Sequence, residues 1–183
     1  MLALLVAALL ACAGTLVVEP LAARALSPCA NGGLQPNARN AVAVKRAALC
    51  LIDRARTENG QRRLRANRQL RAVAESQVAS MLRWNYFADV RPTGQTPLAL
   101  VGSTAYRSHA AFMTVGQNIA WAGGGAGTPA HIVAEWMASP PHREIMLSAG
   151  FRDAGVAVDP ALPSVLGVGS RGALWAVEFG VRR

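Results

Sequence analysis

Between Trp136 and Val158 the chain reads Trp-Met-Ala-Ser-Pro-Pro-His-Arg-Glu-Ile-Met-Leu, then Ser-Ala-Gly-Phe-Arg-Asp-Ala-Gly-Val-Ala-Val, and this order leaves few ways to fold. Proline has no amide hydrogen, fixes φ and disfavours helix in the residue before it. Pro140 and Pro141 are therefore expected to end the helix that carries Trp136 and to form a rigid turn. His142 sits at the pivot of that turn, aimed into a cleft, and the run ending at Val158 reads as a buried strand. Upstream, Gly116-Gln117-Asn118-Ile119-Ala120-Trp121 supplies a glycine for close backbone approach, two side-chain amides and apolar residues that suit a second buried strand.

Hydrophobic period gives the rest of the frame. From Ala41 to Asn59, residues Val44, Ala47, Ala48, Leu51 and Ile52 share one helical stripe, closed by Asn59-Gly60. A second helix starts at Asn67 as N-cap, with Leu70, Val73, Ala74, Val78, Met81 and Leu82 on one face. Residues 88 to 112 read as loop and short helix, and 123 to 127 as a glycine-rich flexible connector. Thr128-Pro129 is an N-cap followed by proline at the first helical position, opening a third helix with Ile132, Val133, Trp136 and Met137 inward. Gly155–Asp159, Val165–Gly169 and Leu174–Gly180 alternate like antiparallel strands. The fold class is α+β: a small antiparallel sheet of three to four strands covered by helices. Trp121, Trp136, Trp175 and Phe179 are assigned to the core, and His109 and His131 to the surface.

Met1 to Val18 carries no charge and is almost wholly apolar. It reads as the apolar part of an export signal, with Ala23-Arg24-Ala25 as a small-x-small cleavage site. No basic residue precedes the run, so either the true start codon lies upstream or the segment stays uncleaved as a membrane anchor over residues 1–18, and a third option is lipidation at Cys12 after Leu9-Leu10-Ala11. The expected organisation is residues 1–25 as signal or anchor, 26–40 as an N-terminal arm and 41–183 as one domain, since roughly 160 residues suit a single core. The protein is expected outside the cytoplasm, secreted or held at the cell surface. Beyond Cys12 there remain Cys29 and Cys50, an even pair that an oxidising compartment would join. The alternative is two separate buried thiols. Net charge is +9, with Lys45 the only lysine among 19 basic residues. The arginines that crowd residues 54 to 71 could retain an anionic cell-surface polymer, or could simply be solvated helix faces. No aromatic residues are interleaved with them, so nucleic acid is not expected as a partner.

The ordered segments resemble a known family. Gly116 to Trp121 resembles Gly-Glu-Asn-(Ile/Leu)-Ala-Trp, and Trp136 to Arg143 resembles Trp-x-x-Ser-Pro-Gly-His-Arg, of bacterial secreted CAP-domain (SCP-like) proteins. Leu51 to Leu64, the Asn85-Tyr86-Phe87-Ala88-Asp89 and Pro92-Thr93-Gly94 loop, and Ala173 to Gly180 extend the similarity over roughly residues 41 to 181. The resemblance implies an α-β-α sandwich and a central cleft in which many relatives hold a divalent metal with two histidines and two acids.

Here that tetrad is incomplete. His142 matches the family histidine, but the other histidine is replaced by Asp89, the glutamate of Gly-Glu-Asn by Gln117, and a further family acid by Ser139. Zinc takes several imidazole, thiolate or carboxylate ligands, so no cofactor is expected and at most weak divalent metal binding. The candidate cleft is Asp89, Gln117, Asn118, Ser139 and His142. The leading reading is a non-enzymatic module that binds a small apolar ligand such as a lipid or sterol, or a cell-wall component. The alternative is an extracellular hydrolase, acting on protein or cell wall, in which Asp89 and His142 form an acid–imidazole pair. No nucleophile is marked by spacing, and Gly-x-Ser-x-Gly is absent.

Overall fold

The computed structural model describes residues 29–183. The expected export segment, its expected cleavage site and Cys12 lie outside the described residues. In chain order the elements are α1 (Ala41–Glu58), β1 (Arg65–Ala66), α2 (Arg68–Trp84), α3 (Pro97–Gly102), β2 (Met113–Gly123), α4 (Pro129–Ala138), α5 (Pro140–Leu147), β3 (Asp153–Ala161) and β4 (Arg171–Arg182). Short 3-10 turns occupy Gly124–Ala126 and Ser164–Leu166.

The helix starts follow local chemistry. Asn67 accepts hydrogen bonds from the amides of Gln69 and Leu70 at the head of α2, and Thr128 accepts from His131 at the head of α4, with Pro129 behind it. α1 ends at Asn59, and Gly60 takes a positive φ of 72° that costs a glycine little.

The sheet has the order β1-β3-β4-β2. β3, β4 and β2 are antiparallel, with Gln117 opposite Glu178 and Asn118 opposite Val177. The expected all-antiparallel sheet needs one correction: β1 pairs with β3 in parallel, through Arg65 and Ala66 alone. A two-residue strand feeding straight into α2 has no room for a hairpin, so it enters the sheet by a crossover.

Strand alternation sends successive side chains to opposite faces, and both faces are covered. Trp175, Val177 and Phe179 pack with Ile52 of α1, Trp136 of α4 and Met146 of α5. On the other face Leu174 and Ala176 meet Ala74, Val78 and Met81 of α2. Leu70 and Val73 of α2 also pack against α3 and Tyr106. The result is the α-β-α sandwich that the resemblance implied.

Three local readings change. Pro140 and Pro141 do not form a rigid turn; they open α5, because proline is well suited to the first helical turn, where an amide donor is not needed. His142 is therefore a helical residue one turn below Ser139. Val165–Gly169 is not a strand, since Gly167 and Gly169 both take positive φ and break the alternation. Trp121 is half-buried rather than enclosed, whereas Trp136, Trp175 and Phe179 are fully interior. His109 and His131 are exposed as expected.

Cys29 and Cys50 form a disulfide, Cα–Cα 5.7 Å apart, that fastens the N-terminal arm to α1. The arm is further held by the Ala130 amide on the Gly32 carbonyl (2.8 Å) and by Gln35 Nε2 on the Gly124 carbonyl (3.0 Å). Among the described residues no helix is long and apolar enough to cross a membrane.

Candidate functional site

β2 is the last strand of the sheet, and the candidate residues gather on both of its faces. Gly116 lets this strand approach α5: a Cβ there would lie 2.8 Å from Ile145 Cγ2 and from Phe151 Cζ. The next two side chains part company. Gln117 faces the α2 layer and Asn118 the α4–α5 layer, where its Nδ2 donates to the His142 carbonyl (2.9 Å). Asn118 thus supports the backbone of the helix that presents the imidazole.

On the α4–α5 side, His142 Nδ1 is hydrogen-bonded to Ser139 Oγ (2.8 Å), in the residue that ends α4 and precedes α5. Trp136 Nε1 donates to the Ile119 carbonyl (3.2 Å), locking α4 onto the strand. A cleft of about 230 Å³ wraps around the β2 edge, lined by Phe87, Ile119 and Trp121 from the α2 layer and by Trp136 from α4, with Glu135, Ser139 and His142 contributing its polar groups.

On the α2 side lies a carboxylate that the motif comparison did not mark. Glu178 is fully buried, and Gln117 Nε2 donates to its Oε1 in a short hydrogen bond. Its Oε2 and the Gln117 Oε1 are both buried without a hydrogen-bond partner. Burial pushes the Glu178 carboxyl up to about 7 and the charge of Asp89 adds to this, against the Gln117 hydrogen bond and the Arg91 charge that lower it. Asp89 arrives on a loop pinned by buried Gln77, whose Nε2 donates to the carbonyls of Ala88 (2.9 Å) and Asp89 (3.3 Å) and whose Oε1 accepts from Arg91 Nε (3.1 Å). Asp89 is itself raised by desolvation and lowered by the nearby His142 charge. Asp89 therefore stands in electrostatic reach of both Glu178 and His142. Among the described residues no hydrogen bond joins it to either.

Glu178 and Gln77 both had a signal in the sequence. Glu178 interrupts an otherwise apolar run from Ala173 to Val181, and Gln77 falls within the apolar stripe of α2. A polar residue in a core position is a buried group that needs partners.

This donor set does not fit a tightly held transition metal. Gln117 offers only amide atoms and the Glu178 carboxylate is turned into the sheet against it, so His142, through the ring nitrogen that Ser139 does not hold, and Asp89 are the groups left to ligate. Among the described residues, no three His, Cys, Asp or Glu side chains converge.

The raised carboxyl sets a pH dependence. Between its ordinary value of 4.5 and about 7, folded Glu178 keeps a proton that the unfolded chain has released, so stability falls as pH rises through that window and levels off above it. The expected loss is about 3 kcal/mol. Glu178→Gln should abolish most of this slope and be the more stable protein at pH 8, since two facing amides can satisfy each other's orphaned atoms. Urea midpoints at pH 5, 6 and 8 for both proteins measure the effect, and an unchanged slope in the variant would refute the assignment.

The wider comparisons agree with this architecture. The sequence profile of the cysteine-rich secretory protein family (CAP) matches residues 49–161. No curated protein matches by sequence. Among solved structures, an outer surface protein of Borrelia burgdorferi superposes with a TM-score of 0.63 at 15% identity, over 82% of this chain and 99% of that one. An extracellular protein containing an SCP domain from Bacillus anthracis gives 0.53 at 22% identity, over 79% of this chain and 41% of that one. A cysteine-rich secretory protein from Staphylococcus aureus gives 0.56 at 17% identity, over 78% and 40%. This chain thus spans about two fifths of the last two proteins. At these identities the structural likeness speaks for the fold alone. With the profile match spanning more than half of its length, the chain belongs to the CAP, or cysteine-rich secretory protein, family.

Proposed function

We propose that the protein is a secreted, non-enzymatic binding module that takes the apolar body of a small lipid- or sterol-like ligand into the cleft at the β2 edge. The observation that carries this reading is the character of that cleft: Phe87, Ile119, Trp121 and Trp136 offer an apolar lining, and of the three polar groups beside it His142 and Ser139 are bonded to each other, which leaves Glu135 at the rim. Pockets that hold small molecules combine an apolar lining with a few placed polar groups. The carboxylate best shielded from water, Glu178, is spent on Gln117 within the α2 layer. Secretion is supported by the Cys29–Cys50 disulfide, a bond that persists in oxidising compartments.

A fluorescent sterol and a fluorescent fatty acid are suitable probes. Saturable binding of one of them to the whole protein is expected, weakened about tenfold by Trp121→Ala, which removes half-buried aromatic area, and changed little by His142→Ala. Failure of both probes to bind, or binding indifferent to Trp121→Ala, overturns the reading.

One observation favours a second reading, a hydrolase acting on protein or cell-wall material: the charge of His142 is felt at Asp89, as in an acid–imidazole pair. Its signature is hydrolysis of casein or peptidoglycan that disappears in His142→Ala while thermal unfolding is unchanged.

A further inference from the structure

The opposite edge of the sheet is built differently. β1 ends at Ala66, whereas β3 runs on to Ala161, so among the described residues no strand pairs with the outer edge of β3 beyond Ala154. The direction of its free groups is fixed by the bonds before it. The Arg65 amide donates to the Arg152 carbonyl (2.9 Å), although the Arg152 amide itself turns inward to the Gly180 carbonyl (3.0 Å), and the Asn67 amide donates to the Ala154 carbonyl (2.8 Å), so within β3 it is residue 154 that faces outward. The period of two in a strand then turns those of Val156 and Val158 the same way.

α1 and α2 rise on opposite faces of the sheet and flank this edge, leaving a groove of about 350 Å³ with Leu49 and Val156 among its apolar residues. Its walls are basic on both sides: Lys45 and Arg46 from α1, Arg68 and Arg71 from α2. Glu75 of α2 pairs with Lys45 of α1 (2.7 Å), a bridge between the two walls that an entering strand displaces by offering Lys45 another carboxylate, and lies 3.8 Å from Arg71. Arg46 and Arg68 enter no ion pair among the described residues. Asp159, further along β3, is an acid on the same strand.

We propose that this groove is a docking site for an extended acidic peptide segment of another protein, which adds to the free edge of β3 as a further strand. Backbone hydrogen bonding gives such a segment its direction and register, and alternate side chains meet the two walls. Acidic residues on both faces of the added strand match basic walls from both helices. The segment lies across the sheet from the cleft assigned to small ligands, so the proposal stands independently of that assignment.

The test uses the whole protein and a fluorescein-labelled acidic peptide with glutamates on both faces of an extended strand, Glu-Glu-Val-Thr-Glu-Glu, in anisotropy titrations. Controls are the same peptide N-methylated at alternate amides in each of the two registers, its lysine counterpart, and soluble polyglutamate. Expected results are saturable binding of the acidic peptide, a loss of about tenfold or more with one of the N-methylated peptides, and a similar loss in the surface variants Arg46→Glu and Arg68→Glu. No binding overturns the proposal. So does equal binding by both N-methylated peptides or by polyglutamate, which would mean attraction of any anionic polymer without strand addition.

Discussion

Gly155→Ala is expected to destabilise the protein by about 4 kcal/mol, at the upper end of what overpacking costs. A Cβ at this position in β3 would lie 2.0 Å from the Arg71 amide nitrogen, 2.3 Å from the Leu70 carbonyl carbon and 2.5 Å from the Arg71 Cα. These are backbone atoms in the first turn of α2, so no rotamer change can relieve the clash. The helix must lift, and it carries Leu70, Val73, Ala74, Val78 and Met81 into two parts of the core. It also carries Gln77, which holds the Asp89 loop. Gly116→Ala is a graded control, because its neighbours are the side chains of Ile145 and Phe151, which can move, and about 2 kcal/mol is expected there. Gly33→Ala meets nothing within 4 Å and should be close to neutral. Urea unfolding of the three variants gives the ranking, and a Gly155 variant as stable as the Gly33 variant would show that α2 does not rest on this strand.

Arg56→Ala is expected to cost a similar amount, about 4 kcal/mol, for a different reason. Arg56 lies on α1 and is completely buried. Its Nη1 donates to the carbonyls of Met146 (2.7 Å) and Ser148 (3.1 Å) at the end of α5, and its Nε to the carbonyl of Arg62 (2.9 Å) in the bend after α1. Three acceptors in two segments distant in sequence thus share one guanidinium. Truncation leaves them without a donor, where solvent enters poorly, and removes the packed stem as well. Arg56→Met separates the two contributions, since it retains most of the stem. It should recover part of the loss, and a full recovery would show that packing, rather than the three hydrogen bonds, is what the position supplies. Thermal unfolding followed by circular dichroism measures all three proteins.

Neither position stood out in the sequence, although much around them did. Asn67, Thr128 and Pro129 could be placed because a capping residue acts on amides two or three positions away, within the reach of a local pattern. The stripes of α1 and α2 and the strand at Leu174–Gly180 followed from period alone. What escaped depended on contacts between distant segments. Gly155 is one glycine among seventeen until α2 is laid across it. Arg56 is one arginine in a basic cluster until α5 ends beside it. Pro140 and Pro141 carried a real ambiguity, since proline stops one helix as readily as it starts the next, and here Ser139 serves both. At the candidate site, motif comparison found Asp89, Gln117, Asn118, Ser139 and His142. The division of Gln117 from Asn118 by the strand required only the alternation rule, whereas the pairing of Gln117 with Glu178 required the register of β2 on β4.

That division has a mechanical side. Gln117 grips a buried acid in one layer and Asn118 braces a helix in the other, through adjacent peptides of the same strand. A twist of the backbone that shortens one attachment strains its neighbour, so neither layer can shift unnoticed by the other. The two attachments are thus separated by a wall a single strand thick: the His142 main chain rests on Asn118, and the proton-holding carboxyl on the residue before it.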